Sequence, residues 1–298
     1  MTPRHLALVG PTASSKSALA FEVARALGDV EIVSVDSMQV YRGMDIGTAK
    51  ATNAERAEIP HHLLDLAEPD ERFSVARFQE EAHRAIAAIE DRGHRALLVG
   101  GTGLYLQAIV DRLALPGEWP EVREQLEGTG TDGLYEQLTT LDPQAAARIG
   151  PANRRRVVRA LEVTIGSGRP FSSFGPGLDA FPPSRFRLTG VWLPRAALAR
   201  RIDSRLRAQL DAGFVEEAVA LEPRMSPTAR QALGYKELLD YVAGECSLEE
   251  AFETAAKRTR AFSRRQRMWF RRDPRITWLG TSGDPLDLLP ALLGNWKQ

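Results

Sequence analysis

The chain has 298 residues, 43% hydrophobic and 26% charged, with 39 basic side chains set against 39 acidic ones. This is an ordinary composition for a soluble globular protein and leaves room for one large domain, or one domain carrying an insertion. The single cysteine, Cys246, excludes an internal disulfide and a zinc cluster built on cysteines, and the lack of any apolar run near ~18 residues or of an N-terminal signal core predicts a cytosolic protein with no membrane partner.

The first apolar run, 5–9, reads as a strand. It leads into Gly10-Pro11-Thr12-Ala13-Ser14-Ser15-Lys16-Ser17, followed by a helix over 17–27 with Leu19, Ala20, Val23, Ala24 and Leu27 along one face and Gly28 just past its end. A strand, a small-residue loop and a helix start make a phosphate cradle, because backbone N–H groups converge there and the helix dipole adds positive potential. Lys16 supplies a mobile full charge, and the Ser17 hydroxyl is a ligand for Mg²⁺. The expected ligand is a polyphosphate or pyrophosphate. The common form of this loop is G-x-x-x-x-G-K-[ST], and Ser15 stands at its second glycine. A positive φ there would cost a serine ~1 kcal/mol or more, and a negative φ would cost little.

A second strand is expected at 31–35 and a loop-rich stretch at 37–73. Ser74 then caps a helix in which Val75, Phe78, Ala82, Ile86 and Ile89 recur at helical spacing until Gly93, and 96–99 reads as the third strand. Strand–helix–strand alternation predicts an α/β fold with a parallel, doubly wound sheet of P-loop NTPase type flanked by helices. Ligands on such sheets sit beyond the carboxyl ends of the strands. The three strands run into Gly10, Asp36 and Gly100. The latter two open Asp36-Ser37-Met38-Gln39-Val40-Tyr41 and Gly100-Gly101-Thr102-Gly103-Leu104-Tyr105, so polar or glycine-rich chemistry gathers on one rim. His61 and His62 invite reading as a metal pair, but adjacent residues of an extended segment point apart, and no metal is assigned to them.

Residues 116–184 are rich in Gly, Pro and Arg and show no clear strand. They read as a mostly helical insertion into a core formed by 1–115 and 185–298, with one helical stretch over 142–165 that carries Arg154, Arg155, Arg156 and Arg159. The strand pattern resumes at 186–193. A helix with Leu198, Ile202, Leu206 and Leu210 on one side runs to Gly213, further helices are expected at 214–222, 227–243 and 247–272, and a last strand at 275–279. The 247–272 helix opens with a capping box, Ser247 and Glu250, and its stripe of Leu248, Phe252, Ala255, Thr259, Phe262, Gln266 and Trp269 is expected to face the core. Between Lys257 and Arg272 it has eight basic residues and no acid. Charge this dense exceeds what a helix C-terminus needs and points to a polyanion, with RNA or DNA backbones fitting best.

These segments, with Asp45-Ile46-Gly47-Thr48-Ala49-Lys50, Pro60-His61-His62-Leu63, Phe73-Ser74, 153–162, Gln231-Ala232-Leu233-Gly234-Tyr235-Lys236-Glu237 and 264–271, resemble in order and spacing the tRNA dimethylallyltransferases, also called tRNA isopentenyltransferases. The resemblance runs almost end to end and departs at Ser15, where the family normally has glycine. It implies transfer of a five-carbon prenyl group from dimethylallyl diphosphate to N6 of the adenosine just 3′ of the anticodon. The loop of Gly10, Pro11, Thr12, Ala13, Ser14, Ser15, Lys16 and Ser17 would then hold the diphosphate. Lys16, Mg²⁺ and the loop amides would stabilise the leaving group, joined by Arg230. Asp36 is the candidate general base or acceptor for the adenine amine, since an exocyclic amine is a poor nucleophile until a proton can leave. The family places Thr102 at the catalytic centre. The tRNA anticodon stem-loop would meet Asp36, Ser37, Met38, Gln39 and Thr102 at the pocket, and Arg123, Arg155, Arg156, Val157, Val158 and Arg159 in the insertion. A monomer is expected. The alternative is an ATP-dependent small-molecule P-loop kinase. In such a kinase the strand that holds Mg²⁺ normally ends in an acid, whereas here the third strand ends in Gly-Gly-Thr, and the basic helix would have no task.

Overall fold

In the computed structural model, which describes residues 4–175 and 177–296, the strands join in a single six-stranded sheet whose paired neighbours all run parallel. The chain divides into two units, Met1–Asp111 with Pro182–Gln298, and Arg112–Phe181. The first unit begins with β1 (His5–Val9), α1 (Lys16–Leu27), β2 (Val30–Val35), α2 (Asn53–Glu58), β3 (His61–His62), α3 (Val75–Asp91), β4 (Arg95–Gly100) and α4 (Gly103–Asp111). The second unit holds α5 (Pro120–Glu127), α6 (Thr131–Leu141), α7 (Pro143–Ile149) and α8 (Arg154–Ser167). The first unit then resumes with β5 (Phe186–Trp192), α9 (Arg195–Asp211), α10 (Phe214–Leu221), α11 (Pro227–Arg230), α12 (Tyr235–Val242), α13 (Leu248–Phe270), β6 (Thr277–Gly280) and α14 (Leu289–Trp296).

The sheet order is β3-β2-β4-β1-β5-β6. β1 lies inside it with all five residues buried, as a parallel strand covered on both faces must be. Side-chain alternation divides it between two cores. Leu6 and Leu8 join Leu19 and Val23 of α1 and Leu292 and Trp296 of α14, while Ala7 and Val9 join Phe78 and Ile86 of α3 and Ile109 of α4. Ser74 accepts the Arg77 N–H at 3.2 Å and so starts α3 where the sequence predicts. The chain leaves this unit after Asp111 and returns at Pro182, and Arg275 donates to both, at 2.7 Å to the Asp111 carboxylate and 2.6 Å to the Pro182 carbonyl. Among the described residues, no helix is long and apolar enough to cross a membrane.

Three stretches differ from the sequence reading. The 37–73 segment contains α2, closed by a reciprocal Thr52–Glu55 capping box, and the short β3. The 142–165 stretch divides into α7 and α8, because Gly150 turns at φ 71° and Asn153 recaps the chain on the Arg156 N–H. The 227–243 stretch divides into α11 and α12. Gly234, at φ 89°, forces the break, and a Cβ there would come within 2.6 Å of Phe214.

The Arg112–Phe181 unit packs Leu126, Leu134, Leu138, Val157 and Leu161 together. Beside this core lies the buried carboxylate of Glu162, which accepts the Trp119 N–H at 2.9 Å and the guanidinium groups of Arg123 and Arg159 at 2.6 and 2.8 Å. These partners hold the Glu162 carboxyl below its ordinary pKa against the opposing effect of burial.

Candidate active site

The loop between β1 and α1 has a fixed shape. Gly10 sits at φ 152°, where a Cβ would meet the Val191 carbonyl of β5 at 2.7 Å. Ala13 and Ser15 both adopt the left-handed region, at φ 63° and 62°. The question posed by Ser15 is thereby answered: the position does require positive φ, and the serine bears the cost. The Ser14 hydroxyl and the Lys16 ammonium both donate to the Pro11 carbonyl, at 2.8 and 2.6 Å. From α13, Gln266 accepts the Thr12 N–H at 2.8 Å and donates to the Gly101 carbonyl at 3.0 Å, tying this loop to the one after β4. Gly101 has no room for a side chain, because a Cβ would stand 2.2 Å from the Gln266 amide nitrogen.

The loop borders a cavity of about 870 Å³ at the carboxyl ends of β1, β2 and β4. Lys16 is buried there, and burial, with the nearby charge of Arg205, lowers its pKa to about 7, opposed by Asp36. Arg205 comes from α9. Burial lowers its pKa as well, again opposed by Asp36, and its Nε is a buried donor with no hydrogen-bond partner. Two desolvated cations facing one carboxylate leave a positive site shaped for a polyanion.

Asp36 closes β2. Its Oδ1 accepts the Met38 N–H at 2.8 Å and the Gln39 N–H at 3.4 Å, which orients the carboxylate at the cavity wall. The Thr102 hydroxyl accepts the Ser37 N–H at 3.3 Å. Gly100 allows this close approach of the loops after β2 and β4, since a Cβ would fall 2.0 Å from the Val35 carbonyl. A further wall is built by 48–51. Glu217 holds the preceding turn by accepting the N–H groups of Asp45, Ile46 and Gly47 at 2.7–3.0 Å, and the buried Lys50 ammonium binds Asp45, Asp65 and the Tyr41 carbonyl. The two histidines of β3 serve different partners: His61 bonds the Ile59 carbonyl and His62 bonds Glu31.

Comparison with known proteins agrees with this geometry. The profile of the IPP transferase family matches residues 39–273. The chain is 47% identical over 302 residues to a tRNA dimethylallyltransferase of Bifidobacterium adolescentis, covering 99% of this chain and 88% of the relative. The chain belongs to the IPP transferase family. Its fold matches the solved tRNA isopentenylpyrophosphate transferase of Bacillus halodurans, with a TM-score of 0.72 and 36% identity over 99% of this chain and 97% of that one. It also matches a eukaryotic dimethylallyltransferase solved acting on tRNA, with a TM-score of 0.77 and 27% identity over 93% of this chain and 74% of that one.

In this IPP transferase the sequence-predicted residues fall into three groups. Thr12, Ala13, Ser14, Ser15, Lys16, Ser17, Asp36 and Gln39 line the cavity. Ser37 and Thr102 stand behind Asp36, bonded to each other, while Met38 packs against the sheet core. Arg230 stands apart from this cavity wall. It ends α11 nearly half exposed, paired with Glu222 at 2.7 Å, and is not among the residues lining the cavity. The arginines at the cavity are Arg200, Arg201 and Arg205 of α9. The only sequence signal for them was their place beside the Leu198–Ile202–Leu206 stripe, which looks the same as a solvated helix face.

The expected tRNA-contacting residues of the second unit differ in their surroundings. Val157 and Val158 turn their side chains into the core of this unit. Arg123 and Arg159 neutralise the buried Glu162, and Arg154 braces the carbonyls of Glu127 and Thr129. Arg155 and Arg156 are the exposed cations of that turn. On α13, Arg258 and Arg260 pair with Glu237 and Asp203, whereas Arg264, Arg265 and Arg271 are exposed beside Met268, which is 70% exposed.

Proposed function

We propose that this IPP transferase carries a dimethylallyl group from dimethylallyl diphosphate to N6 of the adenosine on the 3′ side of the anticodon in tRNA, releasing diphosphate. The observation that carries the reading is the convergence of Lys16, Arg205 and Asp36 on one cavity in a chain that matches tRNA dimethylallyltransferases almost end to end. The bond between the allylic carbon and the donor oxygen breaks, and its electron pair leaves with the diphosphate. Lys16, Arg205 and the N–H groups at the start of α1 oppose the charge that grows there. The N6 lone pair forms the new C–N bond, and the N6 proton passes to the Asp36 carboxylate. Thr102 keeps its own O–H free to donate while it accepts the Ser37 N–H, so it holds the turn that carries Asp36. The adenine leaves the anticodon stack to enter.

The Ser17 hydroxyl at the cavity is the protein group that would hold Mg²⁺, an ion that takes few protein ligands beside substrate phosphates. When bound, the ion supplies further positive charge against the leaving group. Kinase chemistry is the poorer reading, because β4 ends in glycine and threonine and not in the acid such an enzyme needs. We further propose that it works as a monomer in the cytosol, where its tRNA substrate is found.

Incubation with labelled dimethylallyl diphosphate and unmodified tRNA is expected to label the tRNA and release diphosphate in equal amount. ATP hydrolysis without labelled tRNA would refute the assignment. A second result concerns the tRNA grip. Changing Arg155 and Arg156 together to glutamate is expected to weaken tRNA binding and to flatten its log–log salt dependence by about one unit per residue. Arg159 is left intact in that protein, because reversing it would set two carboxylates against each other beside the core. Binding curves that superimpose on those of the parent at every salt concentration would remove this turn from the interface.

A further inference from the structure

The phosphate loop holds two left-handed residues, Ala13 and Ser15, and neither is glycine. Both conformations carry a steric cost for a residue with a Cβ, so local preference alone does not keep the loop in this shape. Both residues are bonded to the same side chain. Arg201, on the first half of α9, donates from Nε to the Ala13 carbonyl at 3.0 Å and from a terminal guanidinium nitrogen to the Ser15 hydroxyl. Arg205 lies one helical turn further along the same helix and faces Lys16 and Asp36 inside the cavity. One helix thus carries two arginines with different tasks, one inside the anion site and one bracing its wall.

We propose that Arg201 is a positioning residue: its planar fork bridges Ala13 and Ser15 and holds the loop in its anion-accepting shape before the diphosphate arrives. The strut is matched to the serine. A glycine at 15 reaches the left-handed region without a brace and offers no hydroxyl to hold, so this chain's departure from the common loop pattern and its use of Arg201 belong together. A lysine at 201 keeps the charge but cannot span two acceptors with a rigid fork.

This inference rests on reading the cavity as a diphosphate site, and its test uses inorganic diphosphate so that it does not depend on which group the donor carries. Calorimetric affinity is compared for the parent, Arg201→Ala, Arg201→Lys, Ser15→Gly and the Ser15→Gly/Arg201→Ala double variant, each first shown to melt cooperatively. Arg201→Ala is expected to weaken binding on the order of tenfold in the serine background and clearly less in the glycine background, a non-additive pair. Arg201→Lys is expected to stay near the alanine value, and in turnover assays the loss is expected in KM for the donor and not in KM for tRNA. Equal losses from Arg201→Ala in both backgrounds, or full recovery with lysine, would show that Arg201 acts only through its charge and would overturn the strut while leaving the diphosphate site in place. A parent protein that fails to bind diphosphate would overturn both.

Discussion

Replacing Lys16 with alanine is expected to lower kcat/KM for the prenyl donor by ~10³-fold, because it removes a desolvated charge aimed at the leaving group. The parent enzyme should carry a pH signature of the same residue. Burial and Arg205 lower the Lys16 pKa from 10.5 to about 7. Only the protonated amine opposes the diphosphate charge, so donor affinity is complete below about pH 7 and falls as pH rises above it. The bound diphosphate favours the charged form, so binding above pH 7 takes up a proton, which calorimetry in buffers of different ionisation enthalpy detects. The stability effect has the opposite sign. An unfolded lysine keeps its proton up to its ordinary pKa of 10.5, so between about 7 and 10.5 the unfolded state binds more protons. The Lys16 contribution therefore makes the fold more stable as pH climbs through this window. Donor binding that declines while stability rises is a pattern that a simple surface lysine would not give. A Lys16→Ala enzyme that retained the parent's KM and pH profile would remove Lys16 from the site.

The second large effect is expected at Asp36. Asp36→Asn should reduce single-turnover prenyl transfer by ~10²-fold or more, with tRNA affinity largely kept. Asparagine retains a carbonyl oxygen to accept the Met38 and Gln39 N–H groups, so the turn after β2 keeps its shape and only the proton acceptor is lost. Unchanged turnover would show that the N6 proton leaves by another route.

The strands and the cavity rim were legible in the sequence because they rest on local patterns. An apolar run followed by small residues and Lys-Ser has few structural solutions, and 5–9, 31–35, 96–99 and 186–193 all became strands of the sheet. Helix interruptions were harder to read. Gly150 and Gly234 break what periodicity presents as continuous helices, and Gly234 does so because Phe214, far away in the chain, occupies the space a side chain would need. The arginines were hardest of all. Sequence counts charge but does not reveal where its partners lie. Arg230 was expected at the leaving group and stands on the surface against Glu222, while Arg205, one of several arginines on α9, is half-buried and turns a buried, unpartnered Nε toward the cavity of Lys16. Likewise the run 155–159 looked uniformly like a contact surface. The helical period turns Val157 and Val158 inward and sets Arg159 on Glu162, which leaves Arg155 and Arg156 to face solvent.

Arg275 has a wider consequence for how this protein can vary. It grips both the point where the chain departs from the sheet unit, at Asp111, and the point where it comes back, at Pro182. The intervening seventy or so residues, 112–181, are therefore inserted between two chain positions that one side chain draws together. Their length and content can change while Arg275 keeps the two ends together and β5 in register beside β1.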